Sequence, residues 1–212
     1  MIKVTFDGVD VYQNKRIVLE EFSIGMPEPK IIKVSIPGRD GDIDMSHALT
    51  GFMNYHNREI VMQFGLIGTE AECEDRKRYL LANVMGKEVK IRFSHLQGYF
   101  LGICKSSNLS RQKRHYTLEF TFDCQPFRFD ETETSYTLNL TSSEQELNCF
   151  NSGERVSPTI ITTGKTILRF QSTSYSLERG THRLSLILSK GNNVMRVSGA
   201  GTITIKFRKG VF

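Results

Sequence analysis

Three aspartates at alternate positions, Asp40, Asp42 and Asp44, come closest to an ion-binding pattern in this 212-residue sequence. Carboxylates at the first, third and fifth positions of a loop can converge on one hard cation such as calcium. The pattern then breaks. The sixth position, where such a loop needs glycine to turn, is Met45, and the twelfth, where a bidentate glutamate completes the shell, is Gly51. Solvated turn acids, able to pair with basic residues across an interface, are the better reading.

Other catalytic chemistry fares no better. The five histidines (His47, His56, His95, His115 and His182) include no HExxH and no close pair that could share a metal. The four cysteines, Cys73, Cys104, Cys124 and Cys149, lie 20 or more residues apart, which excludes the CxxC pairs of zinc and thiol redox sites and points to free, buried thiols. There is no GxSxG elbow, no phosphate-binding GxxxxGK[ST] loop and no dinucleotide fingerprint. Ser198-Gly199-Ala200-Gly201 precedes a strand, so it cannot set phosphate on a helix N-terminus. No enzyme, cofactor or resident metal is expected. Sugar stacking would have to use Tyr136, Phe150, Phe170 and Tyr175, because tryptophan is absent.

The charge is mildly basic, +5 overall. It divides as 18 basic against 17 acidic side chains through residue 130 and 10 against 6 beyond it, so neither part is a polybasic nucleic-acid arm. The N-terminus MIKVTFDGVD carries acid early and has no signal-type apolar run, and no window approaches the roughly 20 apolar residues of a membrane span. Synthesis and first folding in the cytoplasm, without a membrane partner, are expected.

The elements that would position these residues are mostly strands. Residues 2–6, 16–24 and 30–36 read as strands, broken by Asp7-Gly8 and by the Pro27/Pro29 pair. Pro37-Gly38 and Asp40-Gly41 supply two turns, and the run from Glu59 to Ile67 is an emphatic strand with one well-buried face. One helix is legible, at 70–85. Thr69 caps it, Glu72 completes a capping box, Gly86 closes it, and Cys73, Leu80, Leu81 and Val84 share a face suited to a sheet. KEVKIRF (87–93), YFLGICKS (99–106) and HYTLEFTFDC (115–124) form a meander whose last turn carries Lys105, Arg111, Lys113 and Arg114, read as a charged hairpin tip. The pattern changes at Gln125-Pro126-Phe127. A boundary near residue 130 separates a domain of residues 1–130 from one of 131–212, where SYTLNLT, PTIITT, KTILRFQ, HRLSLILS, NVMRVSG and GTITIKF suit a compact antiparallel sandwich.

The order and wording of these segments resemble a known family. TFDGVDV, KIIKVSIPGRDGDIDMSHALTG, YHNREIVMQFGLIG, the helix at 70–85, the pair KEVKIRFSHLQGYFLGI and HYTLEFTFDCQPF, and a closing GTITIKFRKG are similar to the distal tail proteins of long-tailed bacteriophages, prophages and phage-tail-like particles. The resemblance spans the chain and is most specific over residues 30–127.

It implies a mainly β protein. An N-terminal β-sandwich or split-barrel domain with one α-helix would form a hexameric ring, and a small galectin-like β-sandwich would follow, its last strand packing back on the first domain. The ring would be a virion hub joining tail tube protein to the tail-tip or baseplate hub protein. Receptor-binding protein is a further implied partner, and the central channel would pass tape measure and DNA without specific binding. A carbohydrate-binding module for host-surface attachment is the alternative. Ring closure needs two different matching patches per subunit, so Pro37, Gly38, Arg39, Asp40 and Asp42 on one side and Lys105, Arg111, Lys113 and Arg114 on the other are the expected interface or lumen residues.

Overall fold

The computed structural model describes residues 2–48, 51–112 and 115–212. The chain divides into two units, Met1–Arg128 together with Phe212, and Phe129–Val211.

The first unit begins with β1 (Val4–Phe6) and β2 (Val9–Asp10), joined by a turn in which Asp7 and Gly8 both take positive φ. A five-residue helix that the sequence reading misses follows at once, α1 (Val11–Lys15). Asp10 starts it by accepting hydrogen bonds from the N–H groups of Tyr12 and Gln13 at 2.8 and 3.1 Å. Five residues are too few for hydrophobic periodicity to register. Next come β3 (Val18–Ile24), β4 (Lys33–Ser35), β5 (Asp42–Asp44) and β6 (Arg58–Leu66).

The long helix α2 (Glu70–Val84) has the expected capping box: Thr69 N–H donates to Glu72 Oε2 at 2.8 Å and Glu72 N–H donates to Thr69 Oγ1 at 3.4 Å. It stops where Met85 turns extended, and Gly86 follows at φ +67°. Cys73, Leu80 and Val84 are buried, with Leu81 at the margin.

The strands β7 (Glu88–Phe93), β8 (Phe100–Gln112) and β9 (His115–Cys124) complete an antiparallel sheet ordered β2-β1-β7-β8-β9-β6-β3. The sheet curls over its own core. Phe22 on β3 meets Phe93 on β7 at 5.0 Å between ring centroids, and Phe6 on β1 meets Phe122 on β9 at 5.6 Å, although these strands are not neighbours. Phe64, Phe120, Leu118, Ile91 and the inner face of α2 fill the space between.

Lys105 does not sit in a turn, as the sequence reading has it. β8 continues to Gln112, paired with β9 throughout, and a β-bulge between Cys104 and Ser106 shifts its register. Ser, Asn and Gln hide the strand from a pattern search, because backbone pairing rather than burial holds it.

After β10 (Arg128–Phe129), which pairs with the final strand β19 (Gly210–Val211), the second unit comprises two four-stranded antiparallel sheets. One contains β11 (Thr134–Asn139), β13 (Thr159–Thr162), β16 (Gly180–Arg183) and β18 (Thr202–Phe207), in the order β11-β18-β13-β16. The other contains β12 (Gln145–Asn151), β14 (Thr166–Phe170), β15 (Thr173–Leu177) and β17 (Gly191–Gly199), in the order β12-β17-β14-β15. They share one core of Leu147, Ile160, Leu168, Met195, Ile205 and their neighbours, so the unit is a β-sandwich.

The sequence reading misses β12 and β15. It also reads residues 182–189 as a strand, whereas β16 ends at Arg183 and Leu188 makes a single bridge to Val156. The buried Asn193 is a local staple: its amide donates to the carbonyls of Ser189, Gly191 and Cys149 and its oxygen accepts from Ser189 N–H.

Two stability outcomes follow. Asn193→Ala should lower the unfolding free energy by about 3 kcal/mol in urea titration, since it leaves several backbone groups unpartnered in a buried site. Thr69→Ala should cost about 1 kcal/mol. Its effect is also pH-dependent, because the N–H and hydroxyl of Thr69 hold the Glu72 carboxyl below the usual range. A lowered folded pKa gives stability that is complete above the unfolded value and lost as pH falls through the folded one, so the wild-type advantage should shrink below about pH 4.

Candidate assembly interface

Between Gly25 and Arg58 the chain leaves the sheet as an arm. Its root is tied by backbone hydrogen bonds from Lys30 to Asn54 (2.7 Å) and from His56 to Glu28 (2.8 Å). Farther out, among the described residues β4 and β5 pair only with each other. Ser46 braces this hairpin from within, accepting from Ile32 N–H at 2.9 Å and donating its own N–H to Asp44 at 2.8 Å. The Ser46 hydroxyl and N–H hold the Asp44 carboxyl below its usual pKa.

What the arm lacks is a core. Met26, Ile31, Ile32, Val34, Ile36 and Met45 are between 41% and 69% exposed. An isolated two-stranded ribbon is marginal in water, and so much exposed aliphatic surface within 20 residues makes the arm a candidate contact surface. The sequence reading takes KIIKVSI for an ordinary strand and misses these residues. The bracketing Pro27 and Pro29 are the available sign that the segment leaves the sheet.

The expected interface residues fall into two separate groups. Pro37, Gly38, Arg39 and Asp40 lie in the connection between β4 and β5, with Gly38 at φ +83° and Arg39 N–H donating to Ile36 at 3.2 Å, while Asp42 opens β5. Lys105 is at the β8 bulge, its ammonium 3.6 Å from the Glu59 carboxylate. Arg111 lies on β8 opposite Tyr116, and Lys113 and Arg114 fall outside the described residues. Among the described residues no hydrogen bond or ion pair joins the two groups.

Two further surfaces stand open. β7 covers β8 only at Phe100–Ile103, so from Ser106 onward the β8 edge facing away from β9 has no strand beside it among the described residues. The terminal strand β3, three places on from β8 in the sheet, also has no strand on its outer edge among the described residues. The sheet face away from the core is polar. Across four strands its rows read Glu21, Gln63, Glu119, Asn108 and Ser23, Val61, Thr121, Ser106. The Gln63 amide donates to Glu119 at 2.8 Å.

No protein-family model matches this chain, and no curated protein matches it. Among solved structures it superposes on SPP1 Dit, described as a paradigm of the hub adsorption apparatus in phages that infect Gram-positive bacteria. The TM-score is 0.69 at 16% sequence identity, over 98% of this chain and 99% of that one. The chain has the fold of SPP1 Dit. A chain from the phage p2 baseplate, in its activated conformation with Sr, aligns over 100% of both chains at 11% identity and a TM-score of 0.45.

Within this Dit fold the chemically reactive groups are turned inward. Arg58, 3% exposed, donates from Nε to the Pro126 carbonyl at 2.8 Å and lies 5.3 Å from the centre of the Phe100 ring, and burial lowers its pKa. Burial pushes the Cys124 thiol up to about 12 and the Cys149 thiol up to about 11. Among the described residues no three His, Cys, Asp or Glu side chains are grouped to hold a metal. Of the four aromatics considered for sugar stacking, Phe170 is buried, Tyr175 packs against the sandwich core, and Tyr136 lies along Phe207 at 6.2 Å. Phe150 alone is half exposed. All four cysteines are free and buried, so the folded protein should give almost no colour with a thiol reagent at pH 8, and the full four equivalents after denaturation.

Proposed function

We propose that this chain is a phage distal tail protein. It would form a hexameric ring that joins the tail tube to the tail tip or baseplate, located in the virion and without catalytic activity. The observation that carries the reading is the fold shared with SPP1 Dit over nearly the full length of both chains. The resemblance of the sequence to the family points the same way.

The open surfaces support a ring. A cyclic assembly uses two different patches on each subunit, and this chain has an exposed aliphatic arm and two strand edges, on β8 and β3, with no strand beside them among the described residues. The β8 overhang of one subunit beside β3 of the next would continue the sheet around the ring. The polar face would then line the channel. With β7 included, its acidic side chains Glu21, Glu59, Glu88, Glu119 and Asp123 outnumber the basic Lys90, Arg92 and Lys105, and such a surface holds phosphates weakly, which suits DNA that must slide past. Tape measure would occupy the same channel before DNA. The second unit, galectin-like on this reading, would offer a place for a receptor-binding protein.

Light scattering across a concentration series tests the ring: a closed species of about six times 24.2 kDa is expected. The variant Ile31→Ser/Ile36→Ser should lose that species while its thermal unfolding stays nearly unchanged, since both side chains are already exposed. A wild-type protein that stays monomeric and also fails to bind the ends of purified tail tubes would overturn the reading.

A further inference from the structure

Arg16 occupies a backbone position that suits glycine. It ends α1 at φ +53°, with its N–H donating to the Tyr12 carbonyl at 2.7 Å. Helices usually place glycine or asparagine there, because a β-carbon is crowded in the left-handed conformation. A residue kept under that strain calls for a role for its side chain. The Arg16 side chain is exposed and makes no hydrogen bond or ion pair among the described residues.

It lines a cleft of about 510 Å³ between α1 and the first half of α2, together with Asn14, Lys15, Glu72, Asp75 and Arg76. Both carboxylates there are already committed. Asp75 pairs with the Lys15 ammonium at 2.9 Å, and Glu72 is held in the capping box. Arg76 donates from Nε to the Lys15 carbonyl at 2.9 Å, and its buried Nη1 has no hydrogen-bond partner. Glu72 stands beside Arg76 and feels its charge, so the exposed Arg16 is the guanidinium at this cleft that is short of an acceptor.

The same chain carries the complementary charge elsewhere. Asp40 and Asp42 are exposed, unpaired among the described residues, and do not line the cleft. They sit on the arm, between Ile36 and Met45, whose aliphatic side chains also lack cover.

We propose that the α1–α2 cleft is an acid-accepting socket for the arm of a second copy of this chain, with Asp40 or Asp42 pairing to Arg16 and the charges of Lys15 and Arg76 adding to the attraction. The geometry of guanidinium groups allows bidentate contacts with incoming carboxylates. Arm and socket are different patches, so the contact repeats from subunit to subunit. The inference rests on the ring reading and names one of the contacts that would close it.

The test uses full-length chains. Arg16→Gly relieves the left-handed strain, so it should raise the melting temperature while weakening self-association about tenfold in low salt. Arg16→Asp and Asp42→Arg should each weaken association at least as much, and both changes in one chain should restore it to within about threefold of wild type. Rescue supports the socket; single variants that assemble as well as wild type overturn it.

Cysteine pairing decides the case of weak assembly. Arg16→Cys and Asp42→Cys chains, mixed and mildly oxidised, should give a covalent dimer faster than either variant alone. No such preference in a protein whose wild type forms rings removes the socket and leaves the ring. The same failure in a protein that remains monomeric and does not bind tail-tube ends removes both.

Discussion

The curl of the seven-stranded sheet is the constraint on which the first unit depends. A flat sheet of this width could not cover Phe22, Phe93, Phe6 and Phe122 with one fifteen-residue helix, so the two ends of the sheet bend toward each other and bury their aromatic rings together. Once bent, the sheet has one face committed to the core and the other to polar side chains. Its edges cannot meet: β3 carries one border, and β8, outrunning β7 by most of its length, carries an unpaired border of its own. The open surfaces are therefore remainders of the same packing that makes the core, and a neighbour that adds strands would complete what the curl leaves unfinished.

The arm obeys a different logic. Its hydrogen bonds are internal, through Ser46, Asp44 and the pairing of β4 with β5, while most of its aliphatic side chains among the described residues are exposed. Shape is thus specified locally and stability is deferred to another surface. The cleft beside Arg16 is a mirror case, in which the groups are held in place but their charge is not balanced.

How much of this could be read in the sequence depends on whether burial or pairing holds each segment. The helix α2 was legible down to its cap, because Thr69, Glu72 and the buried positions Cys73, Leu80 and Val84 act within a few residues of one another. β6 and β9 were legible because burial alternates along them. The outer half of β8 was not, since Ser106, Ser107, Asn108 and Ser110 are fixed by the backbone of β9 and bury nothing. β12 was missed because asparagine takes one of its three inward places, with Asn151 serving the Glu154 carbonyl and the Gly153 N–H. The arm misled in the opposite way: KIIKVSI has the composition of a core strand and no core. Composition reports what a segment could bury, and only the tertiary fold reveals whether anything lies opposite.

The bulge at Lys105 carries a consequence for how this protein can vary. Before it, Gly102 and Cys104 lie on the same face as Cys124 and Phe122; after it, Ser107 and Leu109 take that face, opposite Phe120 and Leu118, although both are exposed there. One extra residue therefore decides which side chains of the outer ribbon look toward each face. Point changes among the serines and asparagines leave that assignment alone, whereas deletion of a single residue near Lys105 would exchange the two faces from Ser106 to Ser110. Diversification of this ribbon is open to substitution and closed to changes of length, so its residue count is a more stringent record of descent than its amino acids.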